Sequence, residues 1–244
     1  MNSVDITDFK LSDEAVMNFD VEFRDLGPYM TFIKEQLGSN SYNSYLDIGG
    51  GNGMFADQLA KAVDVKNYTV LDNSKAILDQ NKEYEGKKCV LGSATDLGSV
   101  ITDQKFDIIT INVLLHHLVL GSSEECKQLV IKTLQDAKKL LNPGGVIFVY
   151  EQVYIGFPLC DPGRRIFNIT KIKNPMIVKY AKKFGANTAG VGVHFRSESN
   201  WVKCFKQAGF DVNKSKPFLQ DIVTKPRMFF LGMKQCYSAA FALR

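Results

Sequence analysis

YLDIGGGNG, residues 45–53, is the stretch of sequence that decides the fold. An apolar run carries one acid, Asp47, and continues into glycines at alternate positions: Gly49, Gly51 and Gly53. Glycine adopts positive φ and lets a ligand approach the bare backbone, which a Cβ atom would obstruct. The helix expected from about Met54 directs its free N–H groups and the positive end of its dipole into this turn. The stretch therefore predicts a strand, a ligand-binding turn and a helix.

This stretch resembles motif I of the class I S-adenosylmethionine-dependent methyltransferases. In that family the acid, here Asp47, orders the methionine ammonium group, and the glycines make room for the sulfonium cofactor. Two other interpretations remain open on the turn alone. Dinucleotide enzymes use Gly-x-Gly-x-x-Gly at this point, and doubly wound folds contain structural turns of similar composition. The dinucleotide spacing requires glycine at position 54, where this chain has Met54, and Gly53 comes one residue too early.

The composition is typical of a globular protein with one α/β domain. Of 244 residues, 45% are hydrophobic and 23% are charged, and no window approaches the roughly 18 apolar residues of a membrane helix. The N-terminus, MNSVDITDFK, resembles neither a secretory signal nor a transit peptide. The five cysteines are scattered without a Cys-x-x-Cys pair, which argues against a zinc site or a disulfide framework. We therefore expect a cytoplasmic protein.

Charge is distributed unevenly along the chain. Residues 1–150 carry 14 Lys and Arg against 21 Asp and Glu, a net charge of −7. Residues 151–244 carry 16 against 5, a net charge of +11. A basic C-terminal part should attract an anionic partner, which could be a small acid, a phosphate, RNA or a lipid surface. A lysine-rich, solubilising surface is the alternative.

Apolar runs alternate with helical patterns from Tyr45 to Glu151. Near-continuous apolar strands separated by helices predict a parallel sheet covered on both faces. The runs are SYLDIGG, YTVLDNS, KCVLGSA, FDIITINVLL and GGVIFVYE, and the helical patterns lie near 54–63, 74–82 and 123–141.

The flanking segments complete the predicted domain. Residues 12–38 should be helical, with Pro28 opening a second segment that Gly38 closes. After Glu151 the alternation stops, and 152–195 is predicted to be a helical lid insertion. A helix with Ser197 or Ser199 as its N-cap and Gly209 after its end should follow.

Two late strands, near 210–217 and 227–234, are suited to an antiparallel edge hairpin, and the final YSAAFALR is ambiguous between strand and helix. The predicted fold is therefore α/β, a Rossmann-like, doubly wound, seven-stranded sheet. We expect a single domain over 1–244, with 1–44 as a helical cap.

Polar residues follow the second and third predicted strands, where ligands bind in such sheets. The second strand ends in Asp72-Asn73, and a carboxylate there can accept hydrogen bonds from both ribose hydroxyls. Dinucleotide enzymes use the same device, and Asp72 could instead cap the helix beginning near Ser74. The third strand leads to Gly92-Ser-Ala94-Thr-Asp96, which resembles the adenine-binding turn of the methyltransferase family.

The fourth and fifth strands carry the more specific resemblance. FDIITINVLLHHL followed by LLNPGGVIFVYE is similar to this region of small-molecule methyltransferases, and the resemblance covers 45–151. Asn112 ends the fourth strand without the Asn/Asp-Pro-Pro-Tyr of enzymes that methylate base amines. No Pro-Cys nucleophile and no Asp-Ala-Asp metal pattern occur there. Because hard cations require several oxygen ligands and this strand end supplies only Asn112, we predict no metal.

The turn after the fourth strand should face the transferred methyl group, and it contains His116 and His117. Histidine titrates near neutrality, so either residue could accept a proton from the acceptor, with His117 slightly favoured because it is nearer the next helix. His194 is a further candidate base where the insertion returns to the sheet. The alternative for each histidine is capping or packing. Candidate ligands for an anionic acceptor group are three arginines: Arg164, Arg165 and Arg196.

The sequence thus indicates a methyltransferase that uses S-adenosylmethionine and transfers a methyl group to O or N of a small, possibly anionic acceptor. An RNA- or lipid-directed methyltransferase and a non-catalytic adenosyl-binding protein are the alternatives. No DNA partner is expected, and the sequence leaves open whether the chain forms a homo-oligomer.

Overall fold

A computed structural model describes residues 27–183, 188–220 and 231–244. The helix predicted over 12–26 and the residues 227–230 of one predicted strand lie outside these ranges. Within them, one seven-stranded sheet has the order β3-β2-β1-β4-β5-β7-β6. Its strands are β1 Ser44–Ile48, β2 Asn67–Asp72, β3 Lys87–Leu91, β4 Phe106–Asn112, β5 Leu141–Gly156, β6 Val212–Gln220 and β7 Met233–Leu243.

The direction of the strands confirms the predicted fold class. β1 to β5 pair in parallel, whereas β7 pairs antiparallel with both β5 and β6. The strand order reverses between β1 and β4, so a crevice opens at their carboxyl ends, where ligands of doubly wound sheets bind. The turn after β1 and the end of β4 both lie at this crevice.

Helices cover both faces of the sheet, because alternate residues of each buried strand point to opposite faces. On β4, Ile109 and Ile111 pack into one core while Ile108 packs into the other. The longer helices are α1 Gly27–Leu37, α2 Met54–Ala62, α5 Ser123–Lys139, α6 Pro162–Thr170, α7 Pro175–Lys183 and α8 Glu198–Gln207. Helices α5 and α8 contribute to the first core, and α1 and α2 contribute to the second.

The helix boundaries follow the predicted capping signals. Ser197 accepts a hydrogen bond from the Asn200 N–H at the start of α8, and Ser122, which was not predicted from the sequence, accepts one from the Glu125 N–H at the start of α5. Gly38 after α1 and Gly209 after α8 both adopt positive φ, as helix-terminating glycines do. Ser197, and not Ser199, is therefore the N-cap of α8.

Several boundaries differ from the sequence predictions. The helical pattern at 74–82 forms only a short helix, α3 Lys75–Leu78, followed by a turn. The Asn81 side chain donates to the carbonyls of Leu78 and Gly51, which stabilises the turn in place of a longer helix. Another short helix, α4, covers Leu97–Val100. Strand β5 continues to Gly156, so the insertion leaves the sheet at Phe157 and not at residue 152.

In the described part of the strand predicted near 227–234, Leu231 and Gly232 are not in a strand, whereas Met233 and Lys234 are the first residues of β7. Gly232 has a φ of 65°, which no strand residue adopts, and β7 begins only at Met233. The ambiguous YSAAFALR is a strand, because β7 lies between β5 and β6 and its small residues are buried there. Among the described residues, none of the helices is both long and apolar enough to cross a membrane.

Candidate functional site

The glycine turn after β1 is shaped by contacts that side chains would obstruct. Gly53 has a φ of 73°, and a Cβ atom there would lie 1.9 Å from Asn81 Oδ1. Gly51 has a φ of 57°, but its Cβ would meet nothing closer than Ile77 Cγ2 at 3.6 Å. The backbone of Gly51 is thus bare toward open space, as the approach of a ligand requires.

Asp72, the predicted ribose ligand, holds this turn in place. Its Oδ2 accepts the Gly51 N–H at 3.0 Å, and its Oδ1 accepts the Ser74 N–H at 2.8 Å. Each carboxylate oxygen can accept more than one hydrogen bond, so both remain able to accept from ribose hydroxyls. Ser74 is itself the N-cap residue of α3, so the bond from its N–H to Asp72 fixes the turn before the helix and does not cap it. Asn73 beside it is exposed.

Asp47 is buried at the end of β1, directly below the glycine turn. Its Oδ1 accepts a hydrogen bond of 2.6 Å from Thr110 Oγ1, which lies on the neighbouring strand β4. Its Oδ2 is buried and has no hydrogen-bond partner among the described residues. Burial raises the pKa of this carboxyl to about 7, against the lowering effect of the Thr110 hydrogen bond. This oxygen lacks a hydrogen-bond donor, and an ammonium group of a ligand could supply one.

The predicted adenine turn forms a single turn of 3₁₀-helix, Ala94–Asp96. Ser93 Oγ accepts the Thr95 N–H at 3.2 Å, which fixes the turn, and Ala94 is buried whereas Asp96 is exposed. An exposed carboxylate beside a buried alanine can accept from a planar ring that packs on the turn. Asp96 follows β3, and Asp72 ends the neighbouring parallel strand β2, so both lie on the side of the sheet where the parallel strands end.

Asn112 ends β4 and contacts the N-terminal part of the chain. Its Oδ1 accepts a hydrogen bond of 2.9 Å from the hydroxyl of Tyr29 on α1. The ring of Tyr29 lies 5.5 Å from that of Phe55 and 4.7 Å from that of Tyr150. The next residue, Val113, has a φ of 50°, which is strained for a β-branched residue and turns the chain sharply out of the strand.

The strongest constellation of polar groups is a buried pair, His116 and Glu151. His116 Nδ1 lies 2.6 Å from Glu151 Oε2, and the Glu151 side chain is fully buried at 0% exposure. Glu151 Oε1 accepts the N–H of Leu115 at 2.6 Å, so the carboxylate also fixes the turn that carries the histidine. The His116 ring is stacked 4.7 Å from Phe195. A carboxylate on Nδ1 sets the tautomer and leaves Nε2 as the basic nitrogen.

The other two histidines lie close to this pair. The ring of His117 is half-buried, 4.1 Å from the ring of His116, and burial followed by the charge of His116 lowers its pKa well below the usual value. His194 donates its backbone N–H to the His116 carbonyl at 2.8 Å, and its Nε2 lies 3.1 Å from Ser123 Oγ. Burial, then the charge of Arg196, lowers the pKa of His194 to about 4.

The three arginines proposed for acceptor binding differ in environment. Arg164 and Arg165 are exposed on α6. Arg196 is buried, with its Cζ 4.8 Å above the Trp201 ring and one nitrogen donating to the His194 carbonyl at 3.1 Å. Its other terminal nitrogen, Nη2, is buried without a hydrogen-bond partner among the described residues. Burial lowers the pKa of Arg196 from its ordinary value.

Three polar residues of this site were not singled out from the sequence. Glu151 and Thr110 had a detectable signal, because each is a polar residue inside an apolar strand pattern, and such residues are buried only with partners. Tyr29 carried no such signal, since only the packing of α1 on the sheet brings its hydroxyl to Asn112. In the part of the chain that the structure describes, no three His, Cys, Asp or Glu side chains are grouped to hold a metal ion.

Comparison with a protein-family model matches residues 46–149 to a methyltransferase domain. Two relatives are similar at low identity: the cephaeline 6′-O-methyltransferase of Carapichea ipecacuanha, 26% identical over 176 residues, and the trans-resveratrol di-O-methyltransferase of Vitis vinifera, 27% identical over 180 residues. Each alignment covers 72% of this chain but only 44% and 43% of the relatives. The chain thus spans less than half the length of these two enzymes.

Solved structures share the fold. A SAM-dependent methyltransferase from Leishmania major aligns with a TM-score of 0.61 at 15% identity, covering 97% of this chain and 78% of its own. An S-adenosylmethionine-dependent methyltransferase from Clostridium acetobutylicum aligns with a TM-score of 0.59 at 12% identity, covering 95% of this chain and 98% of its own.

Proposed function

We propose that the chain is an S-adenosylmethionine-dependent methyltransferase that transfers the methyl group to a hydroxyl oxygen of a small organic acceptor, since residues 46–149 match a methyltransferase domain. The observation that carries this proposal is the His116–Glu151 pair beside the end of β4. A hydroxyl must lose its proton on methylation, so a positioned base is useful for O-methylation. The two relatives named above are both O-methyltransferases, which supports the same acceptor class.

The cofactor is S-adenosylmethionine, and the residues of the crevice fit it. Asp72 is available to the ribose hydroxyls, the turn at Ala94 and Asp96 to the adenine ring, and Asp47 Oδ2 to the ammonium group. The bare backbone at Gly51 leaves room for the remainder of the molecule. When bound, this cofactor supplies a methyl group already activated on a sulfonium, so the protein contributes mainly alignment and exclusion of water.

In this mechanism His116 Nε2 accepts the proton of the acceptor hydroxyl. Glu151 holds Nδ1 of the same ring, so the ring cannot rotate away from the acceptor, and it stabilises the positive charge that develops on the imidazole. Phe195 and His117 confine the ring from either side. We assign the base to His116 rather than His117, because the carboxylate contact orients His116.

A screen for turnover tests the proposed function. Purified protein with S-adenosylmethionine labelled in its methyl group should methylate members of a panel of small phenols that includes trans-resveratrol. Label transferred only to amines would contradict O-methylation. Tight binding of the cofactor with no transfer to any phenol, amine or acid in the panel would favour the non-catalytic adenosyl-binding alternative.

Changing Asp72 to Ala should weaken binding of S-adenosylhomocysteine by about 1.5–3 kcal/mol, the range for hydrogen bonds to a charged group. Titration calorimetry measures the loss. Asp79→Ala is the matched control, because this nearby exposed aspartate pairs only with Lys75 in the described contacts. Equal affinity for the wild type and Asp72→Ala would remove Asp72 from the cofactor site.

Neutralising Arg164 and Arg165 to Gln should raise the KM for a carboxylated or phosphorylated acceptor and leave the affinity for S-adenosylhomocysteine unchanged. Arginine binds such groups through two parallel hydrogen bonds, which glutamine cannot replace. Steady-state kinetics with a charged acceptor and an uncharged analogue measure the effect. An equal change for both acceptors would show that these arginines do not recognise the anionic group.

A further inference from the structure

Exposed hydrophobic side chains are concentrated in one short part of the insertion. Among the described residues, ten large hydrophobic side chains are exposed, and seven of them lie within residues 157–180. Isolated exposed hydrophobic residues are ordinary, but a concentration of this kind marks an interaction surface. We call these seven the insertion face: Phe157, Leu159, Ile169, Ile172, Met176, Ile177 and Tyr180.

Helix α7 presents an apolar side to solvent. Met176 is 72% exposed and Tyr180 is 63% exposed, and these residues are one helical turn apart, with Ile177 beside them. Val178, by contrast, points toward the body of the protein, since its methyl groups are the nearest atoms to the Cβ position of Gly190. The inward position is thus filled by valine, and the apolar residues that remain face outward.

The loop before α6 adds an apolar tip that is also strained. The Cys160 N–H donates to the Phe157 carbonyl at 2.9 Å, which closes a β-turn with Pro158 and Leu159 at its centre. Leu159 has a φ of 64°, a conformation that favours glycine at this position of a turn, and its side chain is fully exposed. Folding alone gives no reason for leucine here, whereas a surface that buries this side chain does.

The charge around the insertion face is positive. Within 157–180 the only acid is Asp161, whose Oδ1 caps α6 by accepting the Arg164 N–H at 3.0 Å. The basic residues of the same stretch are Arg164, Arg165, Lys171, Lys173 and Lys179. Apolar side chains bordered by lysine and arginine are the pattern of segments that lie in the interface of an anionic bilayer.

From this combination we infer that the insertion face binds the surface of an anionic lipid membrane, with Leu159 and the outer side of α7 entering the headgroup region. RNA fits less well, because five of the seven side chains are aliphatic, and single-stranded nucleic acid is bound by aromatic stacking. A second copy of the chain would bring the same positive charges together, which is unfavourable. The nine-residue α6, about 13 Å long, connects the loop tip to the segment that leads into α7.

Vesicle flotation with the 244-residue chain tests this inference. We expect binding to phosphatidylcholine vesicles that contain phosphatidylserine, much weaker binding to phosphatidylcholine alone, and a steep decrease with salt. Met176→Ser/Ile177→Ser should reduce partitioning about tenfold or more, because two apolar side chains no longer enter the interface. Tyr84→Ser, which changes an exposed tyrosine elsewhere on the protein, should bind like the wild type.

Leu159→Gly separates this role from a structural one. Glycine relieves the positive φ, so this variant should melt at the same or a higher temperature and yet bind anionic vesicles about tenfold less. Binding of S-adenosylhomocysteine should be unchanged in every variant, which shows that the fold is intact. No flotation of the wild type would overturn the inference. RNA binding that the apolar substitutions do not change would also overturn it. The same holds if the wild type does not bind vesicles but forms a dimer that these substitutions dissociate.

Discussion

His116→Ala lowers kcat by roughly 10²–10⁴-fold, the range expected when a general base is removed. The residual rate should rise at high pH, because an acceptor phenol with a pKa of about 10 ionises there without help from the protein. The measurement is kcat against pH for the acceptor identified in the phenol panel. His117→Ala should stay within a few-fold of the wild type, because the carboxylate contact belongs to His116.

Removal of His116 also leaves the buried Glu151 without its partner, so loss of folding has to be separated from loss of the base. His116→Asn serves this purpose, since its side-chain amide can donate to Glu151 in place of Nδ1 but cannot accept a proton. We expect it to melt close to the wild type and to be as inactive as His116→Ala. Full activity in His116→Asn would show that catalysis proceeds by alignment alone and that the histidine belongs to the scaffold.

Between pH 4 and pH 8, the free energy of unfolding of the wild type should fall by about 4 kcal/mol more than that of Asp47→Asn. The pKa of Asp47 is raised from 3.8 to about 7 by burial, and each unit corresponds to about 1.36 kcal/mol. The carboxyl is neutral in the folded and unfolded chains below pH 4. As the pH rises toward 7, the unfolded chain loses this proton first, so the wild type loses stability that the asparagine variant keeps.

Urea unfolding of both proteins at several pH values gives the free energy of unfolding as a function of pH. The difference between the two curves isolates Asp47, because the other titrating groups contribute equally to both. The absolute stability of Asp47→Asn is not the criterion, because its amide has its own hydrogen-bond requirements. Parallel curves for the two proteins would show that Asp47 ionises normally. Saturating S-adenosylhomocysteine should flatten the wild-type curve, since an ammonium group beside Oδ2 favours the ionised carboxylate.

The sheet could be predicted from the sequence because its central strands, β1, β2, β4 and β5, contain buried apolar runs between glycine-rich or polar turns. Ser197 and Gly209 likewise marked the two ends of α8, and Gly38 marked the end of α1. The late strands were harder to place, since the apolar residues before Gly232 resemble a strand more than the alanines of β7 do. Those alanines are in a strand only because β7 lies between two others, which is a tertiary effect.

The candidate cofactor residues could be proposed from the sequence because they occur near the ends of successive strands. Asp47 and Asp72 lie at the ends of β1 and β2, Asp96 follows β3, and the parallel sheet brings these strand ends to one side. The His116–Glu151 pair could not be found in this way, since its members are 35 residues apart and meet only because β4 and β5 are neighbours. The same limitation applies to Tyr29, whose hydroxyl reaches Asn112 from a helix 83 residues earlier.

We expect the crevice at the carboxyl ends of β1, β2 and β4 to bind S-adenosylmethionine. Titration calorimetry with S-adenosylhomocysteine, and with NAD in a parallel experiment, tests it most directly. We predict saturable binding of one S-adenosylhomocysteine per chain and no binding of NAD, because the glycine spacing at 49–53 departs from that of dinucleotide enzymes. Tight binding of NAD without binding of S-adenosylhomocysteine would contradict the account.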